Sequence, residues 1–389
     1  MSGAARFDLI VVGAGPAGSA AAVTAGRAGL SVALIDRAPF PRDKLCGGAV
    51  SGRAQQQLAQ VFGRLPDDLM RWVGRANLLH QGHHIAALSF DRPFGMTMRQ
   101  DFDAALHDRA LQAGAVDYSG RRIARMDLEN GLLSLSDGTT LGAPLIIGAD
   151  GVNSVVARRL WGRAQDPSRL ALALEVEVRR PCGRAAMEVD LGAANWGYGW
   201  AFPKRNGLTL GVGGLVSRNP ALRAVMEDWL VRHGAAGTVR VKGHHLPFGA
   251  FPAVPGEGRV LLAGDAAGLV DPLTGEGIAW AIHSGALAAQ AAIRALAQEA
   301  PGAALRHYTA ALAPVHGELR RARLCRGVLY ARPLRGAVAR RVLAHPGVQA
   351  RYVQLLEGQL DYADLEARSF LRLVRRLALP ALDRWFPPR

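Results

Sequence analysis

The feature that most constrains the fold is a short apolar run that leads straight into a glycine-rich turn. Residues 7–12, FDLIVV, are typical of a strand buried on both faces of a parallel sheet. The sequence GAGPAG follows at once, and an alanine-rich helical segment extends to Gly29. A second apolar run, SVALID, ends on Asp36. This order of elements predicts a βαβ unit and a parallel sheet at the start of the chain.

The three glycines of the turn each suit a different contact with a dinucleotide. Gly13 permits the tight turn, Gly15 lets a pyrophosphate approach the backbone, and Gly18 lets the helix pack on the sheet. The helix N-terminus offers free N–H groups to the phosphates. Asp36 lies twenty-three residues after Gly13, where an acidic residue accepts a hydrogen bond from a ribose hydroxyl. Because its carboxylate disfavours a 2′-phosphate, the pattern predicts NAD or the ADP half of FAD in a Rossmann-like domain.

A second segment, residues 258–282, favours FAD. It reads as a buried strand, then Gly264 and Asp265, then a Gly-Glu-Gly turn that opens a long helix. Asp265 suits the ribityl or phosphate groups of FAD. The N–H groups of Gly277 and Ile278 suit the anionic end of the reduced ring system.

Six motifs occur in the order typical of one family, and they cover about the first 290 residues: GAGPAG with Asp36, FPRDKLCGG at 40–48, RQDFDAALHDRA at 99–110, GADGVNSVVARRL at 148–160, YGWAFPKRNGLTLGVG at 198–213 and GDAAGLVDPLTGEGI at 264–278. In these motifs the chain resembles the FAD-dependent geranylgeranyl reductases, within the wider flavin hydroxylase superfamily. The resemblance implies an FAD enzyme and adds further residues at the cofactor: Ala17, Cys46, Gly47, Ala49, Arg99 and Ile123.

The Cys46 loop and Asp150 each leave more than one reading. The three cysteines, Cys46, Cys182 and Cys325, fit neither a disulfide framework nor a metal site, so no metal is predicted. By resemblance Cys46 lies beside the isoalloxazine and takes part in catalysis; otherwise it is a small residue that fits between glycines. Asp150 either supports the FAD site or caps the helix that follows it.

Tyr198, Trp200 and Phe202 alternate at strand period, so all three point to one face of a sheet. A wall of aromatic side chains suits an apolar, elongated substrate, although three such residues also make an ordinary sheet core. The resemblance adds Pro203, Gly211 and Gly213 to the substrate site, and it implies that Tyr198 and Trp200 take part in catalysis.

The resemblance implies that reduced FAD delivers hydride to a C=C bond of a prenyl chain, in an isoprenoid lipid, a quinone or a pigment. The alternatives are an FAD-dependent monooxygenase acting on an apolar or aromatic substrate and a non-catalytic FAD-folded protein. The sequence contains one dinucleotide fingerprint, which FAD would occupy. We therefore expect NAD(P)H or ferredoxin to supply electrons by docking transiently.

The expected fold class is α/β, with three regions. A discontinuous Rossmann-like FAD-binding domain takes residues 1–60, 97–165 and 255–298. An inserted mixed β-sheet substrate domain takes 61–96 and 166–254, and residues 299–389 form a C-terminal helical region.

The net charge is +15, and residues 320–389 carry +10 of it, with fifteen Arg and five acidic residues. No zinc-finger, helix-turn-helix or RNP pattern accompanies this charge, so no nucleic-acid partner is expected. The stretch 369–386 separates apolar residues from arginines, which predicts peripheral membrane contact or packing on its own domain. The N-terminus lacks a signal peptide, so we expect a cytoplasmic protein, in part peripheral to the inner face of the membrane.

Lysine is rare, and two of the three lysines, Lys44 and Lys204, fall inside these motifs. They are therefore candidates for an ammonium group near a ligand.

Overall fold

The computed structural model of the chain describes residues 4–179, 183, 186–237, 240–249, 251–330 and 337–365. Within these residues eighteen strands form: β1 Ala5–Arg6, β2 Leu9–Val12, β3 Val32–Asp36, β4 Ala49–Val50, β5 Arg71–His80, β6 His83–Met96, β7 Val116–Ser119, β8 Ile123–Asp127, β9 Leu132–Leu135, β10 Thr140–Gly142, β11 Leu145–Gly148, β12 Leu170–Val178, β13 Met187–Leu191, β14 Gly197–Lys204, β15 Gly207–Leu215, β16 Lys242–Pro247, β17 Gly256–Glu257 and β18 Val260–Leu262.

Nine α-helices accompany the strands in the same ranges: α1 Pro16–Arg27, α2 Gly52–Phe62, α3 Arg99–Gln112, α4 Val155–Trp161, α5 Leu222–Arg232, α6 Ile278–Ala297, α7 Ala304–Tyr330, α8 Ala337–Leu343 and α9 Pro346–Leu356. None of the helices described is long and apolar enough to cross a membrane.

A six-stranded sheet in the order β17-β18-β11-β2-β3-β7 carries the N-terminal βαβ unit. Its strands pair in parallel except for the edge strand β17. Strands β2 and β3 are buried along their whole length, as the apolar runs predict. Helices α1 and α6 pack closely, since a side chain on Gly285 would overlap the backbone of Ala17. The predicted α/β fold class is confirmed.

An eight-stranded mixed sheet has the order β16-β12-β15-β14-β13-β5-β6-β4, and a cavity separates it from the first sheet. Its strands pair antiparallel except for β13 and β5, which run parallel. Most of its strands come from the two segments expected to build the substrate domain. Strand β4 is different: it lies in the predicted FAD segment 1–60, yet it pairs with Gly95 and Met96 of β6.

A third, four-stranded sheet has the order β1-β10-β9-β8, although the segment 97–165 was expected to extend the main sheet. Within that segment only β7 and β11 join the six-stranded sheet. Strands β8, β9 and β10 follow one another through short turns and pair antiparallel. Short connections favour antiparallel neighbours, whereas a parallel strand needs a longer crossover.

The C-terminal region is helical where it is described, and it packs back on both sheets. Helix α7 packs on α6, and α9 on β6. Gly52, at the start of α2, lies against the backbone of Glu357, where a side chain would not fit. Arg53 pairs with Asp361 at 2.8 Å. The basic stretch 369–386 and Cys182 lie outside the described residues.

Candidate active site

One cavity of about 580 Å³ lies between the six-stranded and eight-stranded sheets. The turns at the ends of the parallel strands line it with small and charged residues, while the eight-stranded sheet contributes mostly apolar ones. Every cofactor residue predicted above lines this cavity except Gly18. Gly18 lies against the carbonyl group of Gly13, where a side chain would overlap, so it serves the packing of α1.

The glycine turn between β2 and α1 is shaped by backbone contacts. Gly13 has a φ of +97°, and a side chain there would overlap the backbone of Ala149. The N–H of Ala14 donates to the Asp36 carboxylate at 3.0 Å, which holds that carboxylate beside the turn. Gly15 and Ala17 line the cavity next to the turn, and a side chain at Gly15 would meet the Arg42 guanidinium group at 3.5 Å.

Two arginines bring positive charge to the same part of the cavity. Arg42 lies 3.4 Å from the Asp36 carboxylate and 3.2 Å from that of Asp103. Arg99, the first residue of α3, forms a bidentate pair with Asp103 at 2.7 and 2.8 Å. Because Asp103 is fully buried, it fixes both guanidinium groups at the cavity wall, where their charges are available to an anionic ligand such as a phosphate group.

Asp265 follows β18 and turns its carboxyl group to the cavity. Within the described residues, no side chain or backbone N–H donates a hydrogen bond to it, and burial raises its pKa while Lys44 and Arg99 oppose that rise. Lys44 Nζ lies 2.6 Å from Nε2 of His244. Burial lowers the pKa of both groups, that of His244 to about 3, so the imidazole beside the Lys44 amino group is neutral. A carboxylate without a donor suits a ligand rich in hydroxyl groups, such as a ribityl chain.

The N-terminus of α6 and Asp150 complete the polar wall. Gly277 and Ile278 begin the twenty-residue helix α6 at the cavity, so its first N–H groups and its dipole face the space between the sheets. Asp150 accepts from the Ser154 hydroxyl at 2.5 Å and from the Val155 N–H at 2.6 Å. It therefore caps α4, as one reading predicted, and it also lines the cavity, so its support of an FAD site stays a prediction.

This donor set fits FAD. The turn at Gly13–Ala17 with Asp36 and Ile123 would hold the ADP half, and Asp265 would hold the ribityl chain. The N-terminus of α6 and the Cys46–Gly47 loop would flank the ring system. All of these groups line one continuous cavity.

The predicted aromatic strand, β14, forms the opposite wall. The rings of Tyr198 and Trp200 lie 5.7 Å apart, those of Trp200 and Phe202 lie 6.5 Å apart, and all three line the cavity. Gly213 also lines it, whereas Pro203 and Gly211 do not. Gly211 lies behind Trp200, and a side chain there would overlap the indole ring.

Several apolar cavity residues are absent from the sequence prediction: Phe94, Met187, Val189, Leu246, Tyr352 and Leu356. The strand alternation of Met187 and Val189 was a usable signal. Tyr352 and Leu356 share one face of α9, but the sequence does not say which sheet that face meets. Of the two candidate lysines, Lys44 lines the cavity and Lys204 does not. Among the described residues, no group of three His, Cys, Asp or Glu side chains is placed to hold a metal ion.

Comparison with known proteins gives a consistent family. The FAD dependent oxidoreductase model matches residues 8–124. The menaquinone reductase of Mycolicibacterium smegmatis is 32% identical over 331 residues, which is 73% of this chain and 76% of that protein. The geranylgeranyl diphosphate reductase of Rhodobacter capsulatus is 32% identical over 319 residues, or 76% of this chain and 77% of that protein.

A solved structure supports the fold. The geranylgeranyl bacteriochlorophyll reductase-like protein of Thermoplasma acidophilum superposes with a TM-score of 0.75 at 23% identity, over 84% of this chain and 88% of that one. The two relatives align over about three quarters of their own length. Their similarity to this chain agrees with the six motifs found in the sequence. The chain is an FAD-dependent oxidoreductase and belongs to the geranylgeranyl reductase family.

Proposed function

We propose that the protein reduces C=C bonds of a prenyl chain carried by an isoprenoid lipid, a quinone or a pigment. The observation that carries this proposal is the continuity of one cavity from the glycine turn and Asp265 to the aromatic wall of β14. An elongated apolar substrate on that wall would lie beside the Cys46–Gly47 loop. The named activities of the relatives, on menaquinone and on geranylgeranyl diphosphate, agree with a polyprenyl substrate.

When bound and reduced, FAD supplies two electrons as a hydride equivalent. An isolated alkene accepts hydride poorly, so the protein must contribute alignment and exclusion of water. Trp200 is 6% exposed and Phe94 is 5% exposed, so the apolar side chains that would contact a prenyl chain are largely shielded from bulk solvent. Leu356 of α9 adds to the same lining.

We assign Cys46, Tyr198 and Trp200 to the reacting end of the cavity. The Tyr198 hydroxyl donates to the carbonyl oxygen of Thr274 at 2.8 Å, and burial raises its pKa, so the phenol stays protonated. Tyr198 then acts by position rather than by giving up its proton. Cys46 presents its thiol from a loop whose next residue, Gly47, packs on the rings of Trp200 and Phe202.

The electron donor in this proposal is NAD(P)H or ferredoxin. In the part of the chain that the structure describes, one glycine-rich βαβ turn occurs, and it lies where FAD fits. A donor would therefore dock transiently. Anaerobic mixing of the holoenzyme with NADH, NADPH or reduced ferredoxin, followed by flavin absorbance, distinguishes the three.

Contact with a membrane through the basic C-terminal region remains a prediction, because the stretch 369–386 lies outside the described residues. Flotation of the holoenzyme with anionic and with neutral vesicles tests it. If the protein floats with neither kind of vesicle, the prediction is contradicted.

The test of the reaction starts from anaerobically reduced holoenzyme. We expect geranylgeranyl diphosphate to reoxidise the flavin and to give a product heavier by two hydrogen atoms. With menaquinone, fragment masses must locate the two added hydrogen atoms in the prenyl tail, because reduction of the quinone ring to a quinol gives the same mass change. A product heavier by one oxygen atom, formed only in air, would show the monooxygenase alternative instead. Failure of every prenyl compound to reoxidise the flavin would contradict the proposal.

A further inference from the structure

Two buried side chains of opposite charge, Glu175 of β12 and Lys204 of β14, lie beside the aromatic side chains of β14, on the same face of the eight-stranded sheet. Glu175 is 3% exposed and Lys204 is 4% exposed, and neither lines the cavity. A buried charge is costly unless its partners compensate for the lost hydration. The contacts of these two groups therefore indicate what they do for the site.

Lys204 holds the backbone of the cysteine loop. Its ammonium group donates to the carbonyl oxygen of Gly47 and, at 2.9 Å, to that of Thr97. The N–H of Thr97 in turn donates to the carbonyl oxygen of Gly48 at 2.9 Å. Lys204 thus ties the peptide after Cys46 to the segment that precedes α3.

Glu175 joins the same loop to the aromatic wall. Its carboxylate accepts from Nε1 of Trp200 at 3.2 Å, and the backbone N–H of Cys46 also stabilises it. A side chain at Gly47 would come within 3.0 Å of the Phe202 ring and 3.2 Å of Trp200 Nε1, so the loop lies directly on these rings. A side chain at Gly47 would therefore require these rings to shift by a few tenths of an ångström.

The two charges compensate for each other. Burial raises the pKa of Glu175, and the positive charge of Lys204 opposes that rise. Burial lowers the pKa of Lys204, and the negative charge of Glu175 opposes that fall. Removal of one partner would leave the other buried without compensation, whereas removal of both charges would not.

We propose that Glu175 and Lys204 are positioning residues that hold the Cys46–Gly47 backbone on Trp200 and Phe202, and thereby set the place of the Cys46 thiol in the cavity. The effect of this placement on prenyl reduction rests on the proposed function, whereas the placement of the loop itself does not.

The test measures how fast a soluble maleimide labels Cys46 in the FAD-loaded protein, with the labelled peptide identified by mass spectrometry. The variants are E175Q, K204M and the double variant E175Q/K204M. K242M is the matched control, because Lys242 contacts the same segment from the surface, 2.5 Å from the Asp43 carboxylate. Thermal unfolding and prenyl reduction are measured for each variant.

We expect the Cys46 thiol to be labelled about tenfold faster in K204M than in wild type. The variant loses the hydrogen bonds from the charged Lys204 that hold the loop in place. E175Q should label more slowly than K204M, because its amide oxygen still accepts from Trp200. Both single variants should unfold at lower temperature. The double variant should recover stability and still label as fast as K204M, and K242M should match wild type in both measurements.

The proposal would be overturned if Cys46 in folded K204M were labelled at the wild-type rate. It would also be overturned if the double variant recovered stability and its labelling rate fell with that recovery. If K204M does not fold, the double variant alone decides: labelling at the wild-type rate there overturns the proposal. Labelling requires no substrate, so absence of prenyl reduction in the wild type would count against the proposed function and leave the result on the loop intact.

Discussion

The hydroxyl of Tyr198 donates a hydrogen bond to the backbone carbonyl oxygen of Thr274 at 2.8 Å. This contact joins the aromatic strand β14 to the loop before α6, and so links the two walls of the cavity. The walls come from segments of the chain that are 76 residues apart. The position of Tyr198 therefore depends on the loop that leads into the candidate flavin site.

Y198F tests this connection. Loss of the hydrogen bond should cost about 1 kcal/mol in unfolding free energy and lower the rate of prenyl reduction several-fold, with FAD retained. The control is Y330F, because the Tyr330 hydroxyl donates to Gly197 of the same strand at 3.0 Å and does not line the cavity. Y330F should lose similar stability and keep the rate. Equal loss of rate in both variants would assign Tyr198 a purely structural role.

G211A should displace the indole ring of Trp200. A side chain at Gly211 overlaps that ring, whereas one at Gly213 comes no closer than 3.4 Å to it. We expect G211A to lose about 1–3 kcal/mol in unfolding free energy, as overpacked sites do, and to change tryptophan fluorescence. G213A should lose less stability. Equal unfolding free energies and spectra for the two variants would show that Trp200 moves aside freely.

Glu276 should make stability fall as the pH rises. Its carboxyl group accepts from the Ser51 hydroxyl, and burial raises its pKa to about 7 from an ordinary value of 4.5. A raised pKa contributes stability that is complete below pH 4.5 and is lost as the pH rises through 7. The difference between these two pKa values corresponds to about 3 kcal/mol of unfolding free energy.

Urea unfolding of the holoenzyme at several pH values between 4.5 and 8 checks this prediction. E276Q cannot ionise at this position, so it should lack the fall in unfolding free energy that ionisation of Glu276 causes. The unfolding free energy of E276Q minus that of wild type should therefore increase as the pH rises. The exposed Glu257 supplies the control, and E257Q should follow the wild-type curve. Parallel curves for E276Q and wild type would show that Glu276 is already ionised in the folded protein.

C46A should retain FAD and change the rate or extent of prenyl reduction. The Cys46 thiol accepts from the Gly48 N–H at 3.4 Å and lines the cavity, so its removal alters the surface of the reacting end. C325A is the control, because Cys325 packs beside Ala322 and Leu355 and does not line the cavity. Wild-type rates in C46A would mean that the glycines alone shape the loop.

Short-range sequence patterns predicted the two halves of the candidate cofactor site. The turn at Gly13 and the order of strand, Asp265 and helix near Gly277 depend on residues close together in the chain. In both places the backbone geometry follows from local steric limits, so the sequence was sufficient to predict them. The alternation of Tyr198, Trp200 and Phe202 also predicted a common face, because strand geometry alone dictates it.

Long-range packing decided the rest. Lys204 was a candidate ligand group by its rarity, but it does not line the cavity and instead donates to the carbonyl oxygen of Gly47, because β14 brings it against the cysteine loop. Tyr352 reaches the cavity only because α9 packs on β6. The sequence by itself thus determined the cofactor turns and the aromatic face. Only the tertiary structure decided which buried charges hold the cysteine loop and which helix completes the cavity, because those contacts join residues far apart in the chain and leave no periodic signal in it.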